Sequence, residues 1–286
     1  MSNRSVQPPT ILIFDSGVGG LTVFREVAAA RPDARFVYVA DDAGFPYGNQ
    51  PEDALIARIV DVVGKAIAEY APDLVVIACN TASTLALTQL RAAFAVPFVG
   101  TVPAIKPACA QSQSKRIAVL GTLATVSREY TRALIREFAS GCDVILIGSP
   151  RLAGFAELEL AGAPVADADI AAEIAGCFVE TEGRRTDTVV LACTHYPLLV
   201  ERFRKVAPWP VDWLDPAPAI ARRVADLLRE RPAASGVTPP RIVFTSGRVP
   251  PPALVRALSA YGISPSTPPP VFQARRGRSY RPRRRE

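Results

Sequence analysis

The sequence contains a single histidine, His195, and five cysteines without a Cys-x-x-Cys pair. An odd number of cysteines with this spacing argues against a disulfide framework, and one histidine does not complete a zinc site with such separated cysteines. No apolar run reaches the ~18 residues that a membrane-spanning helix needs. The first ten residues are polar and Pro-rich, unlike a signal peptide. We therefore expect no metal, no membrane span and a reduced, cytoplasmic compartment.

Lysine is also scarce, with only Lys65, Lys106, Lys115 and Lys205 present. An enzyme that uses pyridoxal phosphate needs a lysine to form its Schiff base. None of the four lysines follows a predicted strand that leads into a phosphate-binding loop. The composition therefore argues against this cofactor, and we expect none.

Positive charge is concentrated at the end of the chain. Residues 275–286 hold seven arginines and one glutamate, a net charge of +6, which equals the net charge of the whole chain. Residues 1–274 are therefore neutral as a whole. We expect the Pro- and Arg-rich residues 266–286 to form a disordered, solvated tail. The alternative is a weak, salt-sensitive contact with nucleic acid or an acidic partner.

Short apolar strands alternate with helix-like segments along the chain. The predicted strands are 11–14, 35–40, 74–78, 96–99, 143–148 and 241–245, with further strands beginning near 116 and ending at 193. The predicted helices are 21–30, 52–70, 127–139, 152–161, 167–182 and 219–230, with one more after each of Cys79 and Cys193. This alternation predicts an α/β fold with doubly wound, mostly parallel sheets.

Two stretches of the sequence repeat each other. Residues 72–79 read Pro-Asp-Leu-Val-Val-Ile-Ala-Cys, and residues 186–193 read Thr-Asp-Thr-Val-Val-Leu-Ala-Cys. The pattern of residues 10–20 also returns at 116–126. We therefore predict two similar domains related by pseudo-twofold symmetry. The first spans residues 1–102 and 214–265, and the second spans residues 103–213.

Each repeat ends a buried strand at a cysteine, Cys79 or Cys193. Ligands of open α/β sheets bind beyond the carboxyl ends of the strands, so the repeats predict one site at the domain interface. A cysteine acts as a base or nucleophile only as a thiolate, and a helix N-terminus lowers its pKa. Both cysteines precede predicted helices, and we expect both to be activated. We interpret Cys109, Cys142 and Cys177 as buried small side chains.

Three chemistries suit such cysteines. A protease-like Cys–His site is awkward because His195 follows Cys193 by only two residues. A metal site lacks ligands. In the third, one thiolate removes a proton from a carbon and the other thiol delivers a proton to the opposite face. That reaction inverts a stereocentre and suits two similar half-sites.

Two loops could bind carboxylates. Residues 15–20, Asp-Ser-Gly-Val-Gly-Gly, lack both the Gly-x-Gly-x-x-Gly pattern and a Walker lysine. We expect a tight turn whose N–H groups reach a small anion, and Asp15 either faces the ligand or caps the following helix. In residues 41–48, Pro46 and Gly48 indicate a turn that presents the N–H groups of Tyr47 and Gly48, or a plain turn without a ligand.

Together these motifs resemble the glutamate racemases of the aspartate/glutamate racemase superfamily, which work without a cofactor. The matching motifs are Asp15-Ser16-Gly17, Pro46-Tyr47-Gly48, Ala78-Cys79-Asn80-Thr81, Gly121-Thr122 and Cys193-Thr194-His195-Tyr196-Pro197-Leu198-Leu199. The motifs occur in the family's order, and the resemblance extends to about residue 265.

The resemblance implies that Cys79 and Cys193 are catalytic acid/bases for opposite enantiomers of glutamate. It implies that Asp15 and His195 tune the two thiols and border the substrate, and that Glu157 lies close to the His195 half. The implied contacts to the α-carboxylate and amino group are Asn80, Thr81 and Thr194. The implied contacts to the side-chain carboxylate are Ser16, Tyr47 and Gly48, with Thr122 and Thr125 in a further substrate loop.

The resemblance further implies a homodimer that converts L-glutamate to D-glutamate for peptidoglycan synthesis, and so for cell wall and cell shape. A sister racemase acting on aspartate or a hydantoin is the nearest alternative. His195 favours glutamate, because the aspartate branch tends to have an acidic residue there. Some glutamate racemases inhibit DNA gyrase, so a weak contact of the basic tail with gyrase or nucleic acid is a further expectation.

Overall fold

The structure is a computed structural model that describes residues 7–231 and 239–265. The predicted tail, 266–286, lies outside the described residues. The strands are β1 (Thr10–Asp15), β2 (Arg35–Ala40), β3 (Leu74–Ile77), β4 (Phe98–Gly100), β5 (Arg116–Gly121), β6 (Asp143–Gly148), β7 (Glu180–Thr181), β8 (Arg184–Arg185), β9 (Thr188–Ala192), β10 (Asp212–Leu214), β11 (Arg241–Phe244) and β12 (Ser264–Pro265).

Helices follow most of these strands. They are α1 (Leu21–Ala30), α2 (Glu52–Tyr70), α3 (Asn80–Ala93), α4 (Ile105–Gln111), α5 (Leu123–Ser127), α6 (Glu129–Phe138), α7 (Leu152–Leu160), α8 (Asp167–Ile174), α9 (Val200–Val206), α10 (Ala217–Leu227) and α11 (Pro252–Ala260). Short 3-10 turns lie at Asp42–Gly44, Tyr47–Asn49, Ala175–Cys177 and Tyr196–Leu199.

Two parallel sheets form the centres of two domains. The first has the strand order β12-β11-β2-β1-β3-β4, and the second has the order β10-β9-β5-β6. The run β2-β1-β3-β4 therefore matches the run β6-β5-β9-β10. This shared order agrees with the repeats in the sequence, while the pseudo-twofold relation itself stays a prediction.

Alternate residues of the central strands face two different core layers. In β1, Ile11 and Ile13 belong to the layer packed with residues of α1 and α10. Leu12 and Phe14 belong to the layer packed with residues of α2 and α3. A parallel sheet covered by helices on both faces needs apolar residues on both, which explains the uninterrupted apolar strands of this sequence.

The chain leaves the first sheet after β4 and returns to it after β10. Helix α10 contributes Ile220 and Val224 to the core around α1. Strand β11 pairs in parallel with β2, so the predicted return of the last segment to the first domain is confirmed. The domain boundaries near residues 102 and 214 stay predictions.

Several predicted elements were wrong in extent. The helix predicted over 167–182 ends at Ile174, because a short hairpin follows whose turn residues Glu182 and Gly183 have positive φ, of 54° and 72°. The helix predicted over 127–139 starts at Glu129, since Arg128 is extended with ψ 145°. Strand β10 and helix α11 were not predicted. Among the described residues, no helix is long and apolar enough to cross a membrane.

Candidate active site

The carboxyl ends of the central strands of both sheets meet at a small cavity between the domains. Its volume is about 300 Å³. It is lined by Ser16, Phe45, Pro46, Tyr47, Gly48, Cys79, Asn80, Thr81, Thr122, Ala153, Cys193, Thr194 and His195. Most of the predicted site residues are therefore brought together. Phe45, Pro46 and Ala153 were not among them, and Asp15, Thr125 and Glu157 lie behind the lining.

Cys79 is the N-terminal cap of α3. Its sulfur accepts a hydrogen bond from the Ala82 N–H at 3.5 Å, and its thiol donates to the Ser16 hydroxyl at 3.7 Å. Burial, followed by the negative charge of Asp15, raises the pKa of Cys79 to about 12, and the two hydrogen bonds offset this only in part. The prediction of a lowered pKa is therefore wrong for this thiol, because desolvation outweighs the helix N-terminus.

Cys193 follows β9 directly and has a different neighbour. Its sulfur lies 3.8 Å from Nδ1 of His195, and Nε2 of His195 lies 2.8 Å from Oε1 of Glu157. The short spacing thus brings the histidine to the sulfur through a tight turn, since the next 3-10 turn begins only at Tyr196. The prediction that a helix starts directly after Cys193 is wrong.

His195 is buried and held between two acidic groups. Burial by itself lowers the pKa of this imidazole. The hydrogen bonds and negative charges of Cys193 and Glu157 act in the opposite direction and raise the pKa of His195 well above its usual value. His195 therefore retains a proton beside the Cys193 sulfur at neutral pH.

The glycine loop before α1 binds carboxylates of the protein itself. Oδ2 of Asp15 accepts hydrogen bonds from the N–H groups of Gly17 at 3.1 Å and Gly20 at 3.3 Å. Oε1 of Glu157, which comes from the second domain, accepts from the Val18 N–H at 2.8 Å. The prediction that this loop offers these N–H groups to a small anion is therefore wrong.

Two of the loop glycines are needed for the close approach of the second domain. A Cβ atom on Gly17 would lie 2.2 Å from Oε1 of Glu157, and one on Gly19 would lie 2.4 Å from Nδ1 of His195. Neither distance is compatible with a side chain unless its neighbour moves. The absence of side chains at these two positions lets Glu157 and His195 reach the first domain.

Asp15 is fully buried behind the cavity. Besides the glycine N–H groups, its Oδ1 accepts from the Thr194 hydroxyl at 3.1 Å, which joins the two domains. Burial raises the pKa of Asp15, and the charge of His195 and these hydrogen bonds lower it in part. Asp15 thus supports both halves of the site from behind, whereas the sequence left open a ligand contact or a helix cap.

The polar side chains on the cavity wall differ in how far they are satisfied. The hydroxyls of Thr81, Thr122 and Thr125 bond to one another over 3.0–3.3 Å across the domain interface. Asn80 is 2% exposed, and within the described part of the chain its side-chain amide has no hydrogen-bond partner at either the oxygen or the nitrogen. A buried amide without partners is costly, so Asn80 is suited to bind a polar ligand in the cavity.

Sequence reasoning missed the group that holds the Tyr47 loop. The Tyr47 hydroxyl donates to the buried Asp41, whose two carboxylate oxygens also pair with Arg58 at 2.6 Å. Thr245 of the returning segment donates to Asp41 at 2.5 Å. A Cβ on Gly44 would lie 2.3 Å from Nε of Arg58, so this glycine leaves room for the guanidinium group. No local spacing connects these residues, which only the tertiary fold brings together.

Within residues 7–231 and 239–265, no group of three or more His, Cys, Asp or Glu side chains is arranged to hold a metal ion. The chemical groups at the cavity are therefore two thiols, one imidazole, and neutral hydroxyl, amide and backbone groups. This set can remove and donate protons on two sides of a small polar molecule.

The fold and the site together define a class of protein. A family model described as Asp/Glu/Hydantoin racemase matches residues 21–224. The chain belongs to this family, and it is an isomerase.

Individual relatives narrow the comparison. The glutamate racemase of Brucella canis is 54% identical over 255 residues, which are 88% of this chain and 92% of the relative. That of Brucella anthropi is 60% identical over 224 residues, 78% of this chain and 81% of the relative.

Solved structures give the same result. Escherichia coli glutamate racemase, in complex with L-glutamate and the activator UDP-MurNAc-Ala, superposes with a TM-score of 0.83 at 37% identity, over 90% of this chain and 97% of that chain. A Bacillus anthracis glutamate racemase isoform gives 0.77 at 25% identity, over 91% of this chain and 97% of that chain. The predicted resemblance to glutamate racemases and the two-domain α/β fold are confirmed.

Proposed function

We propose that this protein converts L-glutamate to D-glutamate without a cofactor and uses Cys79 and Cys193 as its two acid/base groups. The observation that carries the proposal is the pair of buried thiols, one from each domain, on a single small cavity. Each of these cysteines is 5% exposed. The charge of Cys193 contributes to the raised pKa of Cys79, so the two sulfurs interact across the cavity.

In the proposed reaction, one thiolate takes the Cα proton and the opposite thiol gives its proton to the other face of the resulting carbanion. The C–H bond breaks on one side and a new C–H bond forms on the other, so the enzyme ends with its two protonation states exchanged. Reaction of the opposite enantiomer restores them. The identical chemistry in both directions suits two sulfurs at the ends of equivalent strands.

An unactivated Cα proton is very weakly acidic, and the site has to stabilise the carbanion. Exclusion of water and fixed donors supply most of such stabilisation. We assign the unpartnered Asn80, with Thr81 and Thr194, to the α-carboxylate and amino group. Ser16 and the Tyr47–Gly48 backbone are assigned to the side-chain carboxylate, with Thr122 in the further substrate loop. The Tyr47 hydroxyl is already engaged by Asp41.

The two thiols have separate supporting groups in this proposal. His195, held by Glu157, supplies or accepts the proton of Cys193. Ser16 contacts the Cys79 sulfur, and Asp15 disfavours the Cys79 thiolate through its charge. Asp15 and His195 thereby tune one thiol each.

Glutamate is preferred to aspartate or a hydantoin because of the relatives. Those with the highest identity quoted above are glutamate racemases, and the E. coli relative is seen in complex with L-glutamate. The test is incubation of the pyridoxal-free purified protein with each enantiomer of glutamate and of aspartate, followed by circular dichroism. We expect racemisation of glutamate only. Turnover of aspartate alone would transfer the assignment to the sister racemases, and inertness towards all four would refute it.

The cellular role extends this proposal. We propose that the product supplies D-glutamate for peptidoglycan synthesis in a bacterial cytoplasm and that the enzyme is a homodimer. Rescue of a bacterial strain that requires external D-glutamate tests the first statement, and sedimentation tests the second. The contact with gyrase or nucleic acid is tested by comparing salt-sensitive binding of the full chain with that of a chain ending at Ala274, since salt weakens contacts made by arginines.

A further inference from the structure

Arg128 reaches from the second domain to the helix that carries Cys79. Its Nη1 donates to the carbonyl oxygen of Thr81 at 2.8 Å and to the hydroxyl of Thr84 at 3.0 Å. Its Nε donates to Glu52 of the first domain at 3.2 Å. The Arg128 side chain is only 9% exposed. One side chain of the second domain is thus bound to the N-terminal turns of both α2 and α3.

The backbone around Arg128 connects this contact to the cavity wall. Arg128 is the extended residue between α5 and α6. The preceding turn carries Thr122 and Thr125, whose hydroxyls bond to Thr81. Thr131 fixes α6 to that turn by donating to the Thr125 carbonyl oxygen at 2.6 Å. Arg128 therefore lies on the outer side of the threonine contact that closes the cavity.

The position of this cation is electrostatically unusual. A positive charge at a helix N-terminus opposes the helix dipole, and Arg128 lies at the N-terminus of α3. Glu52 compensates only weakly, because its side chain is 63% exposed. Among the described residues that line the cavity there is no lysine or arginine. Arg128 thus adds positive potential at the end of α3 that presents Cys79 and Asn80, where we assign the carboxylate of the substrate.

We propose that Arg128 is the latch that holds the two domains closed on the Cys79 side and positions the first turn of α3 for the substrate. The latch does not touch the reacting atoms. A substrate can reach the buried thiols only when the domains separate, so the bonds of Arg128 to Thr81 and Thr84 have to break and re-form in each catalytic cycle. This inference rests on the proposed racemase function.

The test compares Arg128→Ala and Arg128→Lys with Arg136→Ala. Arg136 lies on the same helix but pairs with Glu129 within its own domain, and both side chains are exposed. Loss of two hydrogen bonds from a charged donor is expected to raise KM for glutamate by about tenfold to a hundredfold. We expect kcat to fall less, because both thiols and the groups that contact them remain. Lysine should recover part of the affinity, and Arg136→Ala should behave as wild type.

Hydrogen exchange of the backbone amides supplies a second readout that does not depend on turnover. We expect faster exchange over residues 80–83 and 122–126 in Arg128→Ala, with the strands of both sheets unchanged. If that variant does not fold, Thr84→Val removes one acceptor while keeping the side-chain shape, and KM should then rise about threefold.

A merely structural role predicts a lower melting temperature with KM and local exchange as in wild type, and that result would overturn the latch. Failure of the proposed function is distinguishable from failure of the latch. Wild-type protein that is inert towards glutamate refutes the former, whereas the exchange comparison still decides the latter.

Discussion

The Cys79 half and the Cys193 half of the cavity have equivalent places in their sheets but opposite electrostatic surroundings. Both cysteines follow the strand next to the first strand of their sheet, β3 beside β1 and β9 beside β5. Cys79 then caps a regular helix and is affected by the negative charge of Asp15. Cys193 precedes a tight turn and contacts an imidazole whose pKa is raised.

This difference shows that a duplicated strand and cysteine do not make a duplicated acid/base group. In the ligand-free site Cys79 is a neutral thiol, because burial raises its pKa to about 12. Its activation then depends on what the substrate adds, above all the positive charge of the ammonium group. The Cys193 half already contains its own proton acceptor and donor, His195. We expect the two halves to respond differently to changes of pH and of neighbouring residues.

The comparison is broken most completely by removing either sulfur. Cys79→Ser and Cys193→Ser should each lower kcat for both enantiomers by about 10²- to 10⁴-fold, the usual contribution of a positioned acid or base. Steady-state racemisation by circular dichroism measures the loss. Cys142→Ser, which changes a half-exposed thiol outside the cavity, is the control and should keep wild-type rates. Near-normal activity of either active-site variant would exclude a two-thiol mechanism.

The Cys193 half can be displaced without touching its acid/base groups. In Gly19→Ala the new methyl group would lie 2.4 Å from Nδ1 of His195, and the ring or the loop has to move. We expect a loss of about a hundredfold in kcat/KM, the size of effect that a misplacement of about 1 Å produces. Gly48→Ala is a useful comparison, since its nearest contact is Thr122 at 3.3 Å. If Gly19→Ala is fully active, the close approach of His195 to this loop is incorrect.

Glu157→Gln sharpens the comparison through pH. Loss of the carboxylate that helps to raise the pKa of His195 lowers that pKa. Because the imidazole loses its proton as pH rises through its pKa, activity that needs protonated His195 should disappear at lower pH in the variant than in wild type. We expect about a tenfold loss of kcat at neutral pH. Profiles of kcat against pH test this, and an unchanged alkaline limb would exclude Glu157 from the support of His195.

The smallest predicted effect lies on the same helix as Glu157. Gly154 is inside α7, and a Cβ atom there would meet nothing within 4 Å. Gly154→Ala should therefore raise the free energy of unfolding by about 0.5–1 kcal/mol, because glycine loses more backbone entropy than alanine in a helix. Denaturant unfolding measures the change, with activity expected to stay at the wild-type level. A destabilised variant would show that α7 is packed differently at this position.

The sequence predicted those parts of the fold that depend on local periodicity. Helices over 21–30 and 52–70 and strands over 35–40 and 143–148 have the predicted bounds, because one apolar pattern decides each of them. The hairpin after α8 was missed, since positive φ at a glutamate has no strong sequence signal.

The residues of the site were predictable only where a motif carries them. Cys79, Asn80 and Thr194 stand in short motifs, and the cavity brings them together. The pair of Asp41 with Arg58 and the bond of Arg128 to Thr81 join segments that are distant in the chain. The raised pKa of Cys79 also depends on burial by the whole fold, and the local helix N-terminus predicted the opposite direction.

The central claim is that different sulfurs act on the two faces of Cα, and labelling in D₂O tests it most directly. L-glutamate is incubated with wild-type protein in D₂O without pyridoxal, and product and remaining substrate are analysed at low conversion. With two acid/base groups, the D-glutamate formed should carry deuterium at Cα while the remaining L-glutamate is still protonated. Deuterium appearing equally in both, or product that retains the original proton, would show that one group serves both faces and would contradict the account.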